Sequence, residues 1–223
     1  MKNILIRFFK LIRKSNNNNL LHIFNLILLG TFISSSLNAA VININSNNTN
    51  LNIGESFEIS FKISNLTQNS GDSLSAFDFN ILFDTNIFLF TGANFYDPIF
   101  GNQLSFNEAN AFPFLGDAIN TEAGVIDTFG ISGNSDITLD SQQLNQFTFL
   151  NLSFSALAST ALSSIAIDLS DPTLLLVDSG FSDLTVTFAS HHLDFVVSQV
   201  PEPNNIWLFI VGIPMLILYT FKK

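Results

Sequence analysis

Between residues 56 and 64 apolar and polar positions alternate without a break, with Phe57, Ile59, Phe61 and Ile63 on one parity and Glu58, Ser60, Lys62 and Ser64 on the other. A period of two is that of a strand with one face buried, because successive side chains leave a strand on opposite sides. The alternation returns in Phe77, Phe79, Ile81 and Phe83, set against Asp78, Asn80 and Asp84. Shorter runs follow in Leu150, Leu152, Phe154 and Ala156, then in Ile165, Ile167 and Leu169. Leu184, Val186 and Phe188 form another, and Leu193, Phe195 and Val197 the last. Clusters of Asn, Gly, Asp and Ser separate these runs, so the middle of the chain predicts an all-β fold, a sandwich or barrel. No part of it has a helical period. Residues 107–123 carry the least pattern and predict a long loop or a short helix. Within 147–156 the apolar parity shifts, from Phe147 and Phe149 to Leu150 onward, which predicts a β-bulge or a strand buried on both faces.

The two ends follow a different pattern. Lys2, Arg7, Lys10, Arg13 and Lys14 make the start basic, an Asn16 to Asn19 run follows, residues 20–33 are mostly apolar, and small residues close the segment up to Ala40. Basic, apolar and small in that order predict a secretory signal peptide over residues 1–40, removed by signal peptidase after Ala39 or Ala40. Its apolar run is shorter than the roughly 20 residues a spanning helix needs; an uncleaved N-terminal anchor is the alternative. At the other end Val200-Pro201-Glu202-Pro203-Asn204-Asn205 leads into sixteen uncharged residues, 206–221, and then Lys222 and Lys223. At about 1.5 Å per residue such a helix spans roughly 24 Å, close to the hydrocarbon core of a membrane. Trp207 and Tyr219 fall near its ends and the lysines suit the cytoplasmic side. Residues 206–221 therefore predict one transmembrane helix, and the plainest reading is a tail anchor.

Charge sharpens this division. The full 223 residues carry a formal −10, yet between residues 41 and 200 there are 17 carboxylates and one cation, Lys62, a balance of −16. That surface argues against nucleic acid as a partner, since binding there needs Lys and Arg to displace counterions. The absence of cysteine excludes a disulfide framework, Cys-ligated zinc and thiol catalysis. Nineteen of the 25 phenylalanines lie in the acidic middle, enough to build a core there without staples.

With the residues in view, two resemblances follow. Val200-Pro201-Glu202-Pro203, the short apolar stretch and the basic end resemble the PEP-CTERM sorting signal of Gram-negative bacteria over residues 200–223. The resemblance implies a transient passage through the inner membrane, processing by exosortase near Val200, Pro201, Glu202 and Pro203, and delivery to the cell surface or extracellular matrix. Pro214 inside the helix and a basic end of only Lys222 and Lys223 depart from the usual pattern. Residues 74–93 and 146–167 resemble the early strand pair and the later strand pair of cohesin-like domains. This second resemblance covers residues 41–199 and implies a nine-stranded jelly-roll β-sandwich related to carbohydrate-binding modules. It implies docking or carbohydrate association as function, with no contact residue carried over.

Candidate chemistry is sparse. His191 and His192 are adjacent, and neighbouring residues of a regular strand point to opposite faces, so they would not ligate one metal together. No Gly-x-Ser-x-Gly elbow selects a nucleophile and nothing selects a carboxylate pair, so no catalytic residue is assigned and a hydrolase is the weakest alternative. Asp136 with Asp140, and Asp168 with Asp171, in loops near strand ends, are weak candidates for calcium, with solvated acidic turns as the plainer reading. Sugar stacking favours exposed Trp or Tyr; the single Trp is Trp207 and the middle has only Tyr96. The sequence thus predicts an exported, non-enzymatic surface or biofilm-matrix interaction module, with a carbohydrate-binding domain of polysaccharide metabolism as the alternative.

Overall fold

The computed structural model describes residues 39–199, apart from residues 68, 69 and 110. The predicted segments 1–40 and 200–223, and with them Val200, Pro201, Glu202, Pro203, Lys222 and Lys223, lie outside the described residues except for Ala39 and Ala40.

The alternating runs form strands as their period dictates. In chain order these are β1 (Ala40–Ser46), β2 (Asn50–Asn52), β3 (Ser56–Ser64), β4 (Leu74–Leu82), β5 (Phe88–Asn94), β6 (Leu115–Glu122) and β7 (Val125–Ile131). After one helix, α1 (Asp136–Gln142), come β8 (Phe147–Ala156), β9 (Thr160–Ile167), β10 (Leu175–Asp178), β11 (Val186–Phe188) and β12 (His192–Ser198). The described residues thus hold twelve strands where the resemblance implied nine, and β2, β10 and β11 are short, of three or four residues. The strands pair into two sheets, one ordered β11-β1-β3-β8-β5 and the other β2-β12-β9-β4-β7-β6, with β10 also on β4.

Phenylalanine fills the space between the sheets. Phe57 on β3 packs against Phe195 on β12 with ring centroids 4.8 Å apart, and Phe77 on β4 against Phe149 on β8 at 4.9 Å. Phe61 meets Phe79 across the same gap at 5.7 Å. The parity shift in β8 is a bulge: Phe61 pairs with Leu150, but Lys62 pairs with Thr148, so Phe149 is the extra residue and both Phe149 and Leu150 are buried.

Two expectations are corrected. Residues 107–123 end in a strand, β6, rather than in a short helix; as an edge strand its side chains are largely exposed on both faces, which erases the alternation. Residues 136–140 lie on α1 and not in a loop. That helix escapes detection because it is two turns long and buries only Leu139. It is capped by Ser135, whose Oγ accepts the Thr138 N–H, and it is fastened to the sandwich by Gln143. The Gln143 amide donates to the carbonyls of Leu74 at 2.9 Å and Gln103 at 3.0 Å, and accepts the Leu74 N–H at 2.7 Å.

The connections sort the molecule into two poles. Loops 65–73, 95–114, 132–146 and 179–185 gather at the pole where β1 begins, because β3, β5, β7 and β10 all end there. β12 ends at the opposite pole, where the Ile53 N–H bonds the Ser198 carbonyl at 3.0 Å. The described chain therefore enters at one pole and leaves at the other. At the exit pole β6 and β7 are joined by Ala123-Gly124, and Gly124 (φ +86°) sits so close to the Phe83 carbonyl that a Cβ would lie 2.5 Å from its oxygen.

Candidate functional site

The four aspartates predicted as calcium candidates divide between two places and are engaged by protein donors. On α1, Asp136 Oδ1 accepts the Ile137 N–H at 2.8 Å. One turn on, Asp140 Oδ1 accepts the Ser179 hydroxyl at 2.9 Å and the Ser73 hydroxyl, while its Oδ2 accepts the Gly71 N–H at 3.1 Å. Asp140 is thus a tie that joins α1, the 70–73 loop and the turn after β10. Asp168 accepts from the backbone and hydroxyl of Ser170 at 2.9 and 2.6 Å. Asp171 does the same with Thr173 at 2.8 and 2.6 Å, and its other oxygen takes the Asn80 N–H at 3.2 Å. Among the described residues no group of three or more His, Asp or Glu is arranged to hold a metal ion.

Asp171 has a specific structural task. Along one side of β4 the partner changes from β9, paired at Ile81 and Leu82, to β10, paired from Asp78 back to Leu74. Asn80 falls at the change, and the Asp171 carboxylate receives its N–H where the two partner strands leave a gap. The Thr173 hydroxyl, more than offsetting partial burial, together with the Thr173 and Asn80 N–H groups, holds the Asp171 carboxyl below the usual range. Burial, followed by the charges of Asp127 and Asp171, pushes Asp78 up.

The histidines depart from the strand-based expectation. His191 lies at a bend and only His192 belongs to β12, so their rings do not take opposite faces; they meet edge-on with centroids 4.7 Å apart, and both are exposed. Tyr96, 48% exposed, precedes a tight turn, and its carbonyl accepts the Asn151 amide at 3.0 Å.

The two outer faces differ in chemistry. On the β1-β3-β8 face small hydroxyls and amides predominate: Ser56 bonds Ser155 at 3.0 Å and the Ser60 hydroxyl donates to Asn151 at 2.6 Å, with Lys62 and Glu58 as the balancing charges of β3. The opposite outer face, on β6, β7 and β4, is acidic and partly apolar. Leu115 pairs with Ile131 and Ile119 with Asp127, and all three aliphatic residues are exposed large hydrophobics. Asp117 and Asp78 stand in the same surface, both aligned with Phe129 from its two neighbouring strands. No sequence pattern marked this face: β6 lacks alternation, and in β7 the outward residues Val125, Phe129 and Ile131 are apolar while the inward Thr128 and Gly130 are not, so a period of two would put the wrong face in the core.

No family model matches the chain, and no curated protein matches it. Solved structures do match its fold. A type II cohesin domain from the cellulosome of Acetivibrio cellulolyticus superposes with a TM-score of 0.53 at 17% identity, covering 70% of this chain and 95% of that one. A type I cohesin–dockerin complex from Clostridium thermocellum matches with a TM-score of 0.51 at 14% identity, over 73% of this chain and 100% of that one. A cohesin module from a Clostridium perfringens family 33 glycoside hydrolase matches with a TM-score of 0.50 at 12% identity, over 73% and 100%. At these identities the likeness is one of fold: the described residues form a cohesin-like β-sandwich.

Proposed function

We propose that this chain is an exported, non-enzymatic docking module that acts at the cell surface or in the extracellular, biofilm-associated matrix. The observation that carries the reading is the outer face of β6, β7 and β4, where Leu115, Ile119 and Ile131 stand exposed among Asp78, Asp117 and Asp127. Aliphatic side chains bordered by charge of one sign suit a protein contact better than a merely solvated sheet. The cohesin-like fold supports the same reading, since one of the matching structures is a cohesin in complex with a dockerin. Export rests on the sequence: signal peptidase removes residues 1–40, the 206–221 helix holds the chain in the inner membrane of a Gram-negative cell, and exosortase processes it at Val200-Pro201-Glu202-Pro203.

Removal of the basic ends would leave a domain of about −16, the balance of residues 41–200. Such a surface stays soluble and repels copies of itself. Carbohydrate contact is the second reading, favoured by the neutral hydroxyl and amide face on β1, β3 and β8.

Deletion of residues 201–223 tests the sorting step. The truncated chain should be exported but lost from the cell surface, as read by protease accessibility on intact cells. Surface retention equal to that of the full chain would overturn the assignment of this segment as the sorting signal.

A further inference from the structure

Among the described residues two non-glycine residues have positive φ, Asn65 at 63° and Phe181 at 62°. Asparagine tolerates this left-handed conformation, whereas for an aromatic residue it is a genuine outlier held by its surroundings. Phe181 is also 84% exposed, the highest value of any large hydrophobic residue described. A strained backbone that presents an aromatic ring to solvent contributes nothing to a core, and strain of this kind collects at functional positions.

The turn that carries Phe181 is rigidly braced. Asp178 and Ser182 exchange bonds, with the Asp178 N–H donating to the Ser182 carbonyl at 2.9 Å and the Ser182 N–H to Asp178 Oδ1 at 2.8 Å. The Phe181 N–H closes the turn on the Asp178 carbonyl at 3.1 Å. Ser179 fixes it to the body through Asp140, the same carboxylate that holds Gly71 and sits one helical turn from Ile137. Ile137 is 76% exposed. Phe181 and Ile137 thus stand on two elements joined by a single carboxylate, at the pole opposite the one from which the chain leaves toward residues 200–223.

Their surroundings are of one sign. Asp72, Asp136, Asp140, Asp178 and Asp183 lie on the same loops and helix, and Lys62, the lone cation of the described residues, lies on β3 beside Asp97. We infer that Phe181 is a preformed anchor that inserts into an apolar pocket of a partner protein rimmed by Lys and Arg. A pre-ordered aromatic loses little entropy on docking, and carboxylates on the neighbouring loops match a basic rim. This inference rests on the docking reading above and adds, at the pole, an anchor to the contact made by the sheet face.

The probe is a synthetic Leu/Lys amphipathic helix, titrated against the chain purified from its own cells, with a Leu/Glu helix as control. Phe181→Ser should weaken binding of the Leu/Lys helix by roughly tenfold. Leu162→Ser, an exposed residue of β9 near the exit pole, should change it less than twofold, and the affinity should fall with salt. Phe181→Gly should show the same loss with a melting temperature equal to or above the parent's, since glycine relieves the left-handed strain. Loss with Ile119→Ser and none with Phe181→Ser would overturn the anchor and leave the docking reading standing. Equal binding by all variants would overturn the anchor as well, and no preference for Leu/Lys over Leu/Glu would overturn both.

Discussion

Phe154→Ala should destabilise the sandwich by about 3–5 kcal/mol, the cost of deleting a fully buried aromatic and leaving its cavity. Phe154 is 0% exposed and sits at the centre of the ring cluster, 5.7 Å from Phe57, 5.5 Å from Phe83 and 5.6 Å from Phe90. Those rings come from β3, from the residue after β4 and from β5, so one truncation opens contacts within one sheet and across to the other. Domains have only about 5–15 kcal/mol in hand, so the loss is a large share of the total. A fall in melting temperature on the order of 10 °C is expected from thermal circular dichroism. Leu162→Ala, at a residue 65% exposed, is the control and should cost less than about 0.5 kcal/mol. Comparable shifts for the two variants would mean that the aromatic cluster is not the core.

Asp97→Asn is expected to have the next largest effect, about 2–3 kcal/mol at neutral pH. Asp97 is 7% exposed. Its Oδ1 accepts the N–H groups of Ile99 at 2.8 Å and Phe100 at 3.0 Å, and Oδ2 accepts the Thr148 N–H at 2.8 Å. It therefore fastens the long β5–β6 connection to the start of β8. An amide can keep the first two bonds, but its NH2 then faces the Thr148 donor, and that buried N–H loses its acceptor. Burial pushes the Asp97 carboxyl up, yet the Thr148, Ile99 and Phe100 N–H groups and the Lys62 charge outweigh it and hold the group below its usual value. A lowered folded-state pKa means that the carboxylate contributes stability above its unfolded value of 3.8, and that this is lost as pH falls through the lower folded value. The gap in stability between the parent chain and Asp97→Asn should accordingly be widest above pH 5 and narrow below 3.8. Urea denaturation at a series of pH values measures it; a gap that widens on acidification would contradict the assignment.

How far the fold was legible depended on which faces were buried. β3 and the core of β4 could be read almost residue by residue, because one face is dry and the other wet. The parity slip at Phe149 and Leu150 was visible as well, and pairing resolves it as a bulge. β6 was not legible, since an edge strand exposed on both sides has no apolar period to keep. α1 was too short to show one. The surface candidates were less legible still. Asp140 and Asp171 looked like possible ion ligands, but their oxygens are occupied by serine and threonine hydroxyls and backbone N–H groups from distant loops. Phe181 reads as one more core phenylalanine until its exposure and its φ are known, and both depend on a turn held from elsewhere in the chain.

The chain divides into an acidic middle and two basic ends. Ala40 and Ser198 lie at opposite poles, so the segment proposed to hold the membrane leaves from the end away from Phe181 and Ile137.

Intact-mass measurement of the protein recovered from the surface of its own cells tests the central claim, that a domain is exported and trimmed at both ends, most directly. The expected species begins at Ala40 or Val41 and ends within Val200-Pro201-Glu202-Pro203, alone or with an added group at its new C-terminus. A mass equal to the whole 223-residue chain, recovered from inside the cell, would contradict it.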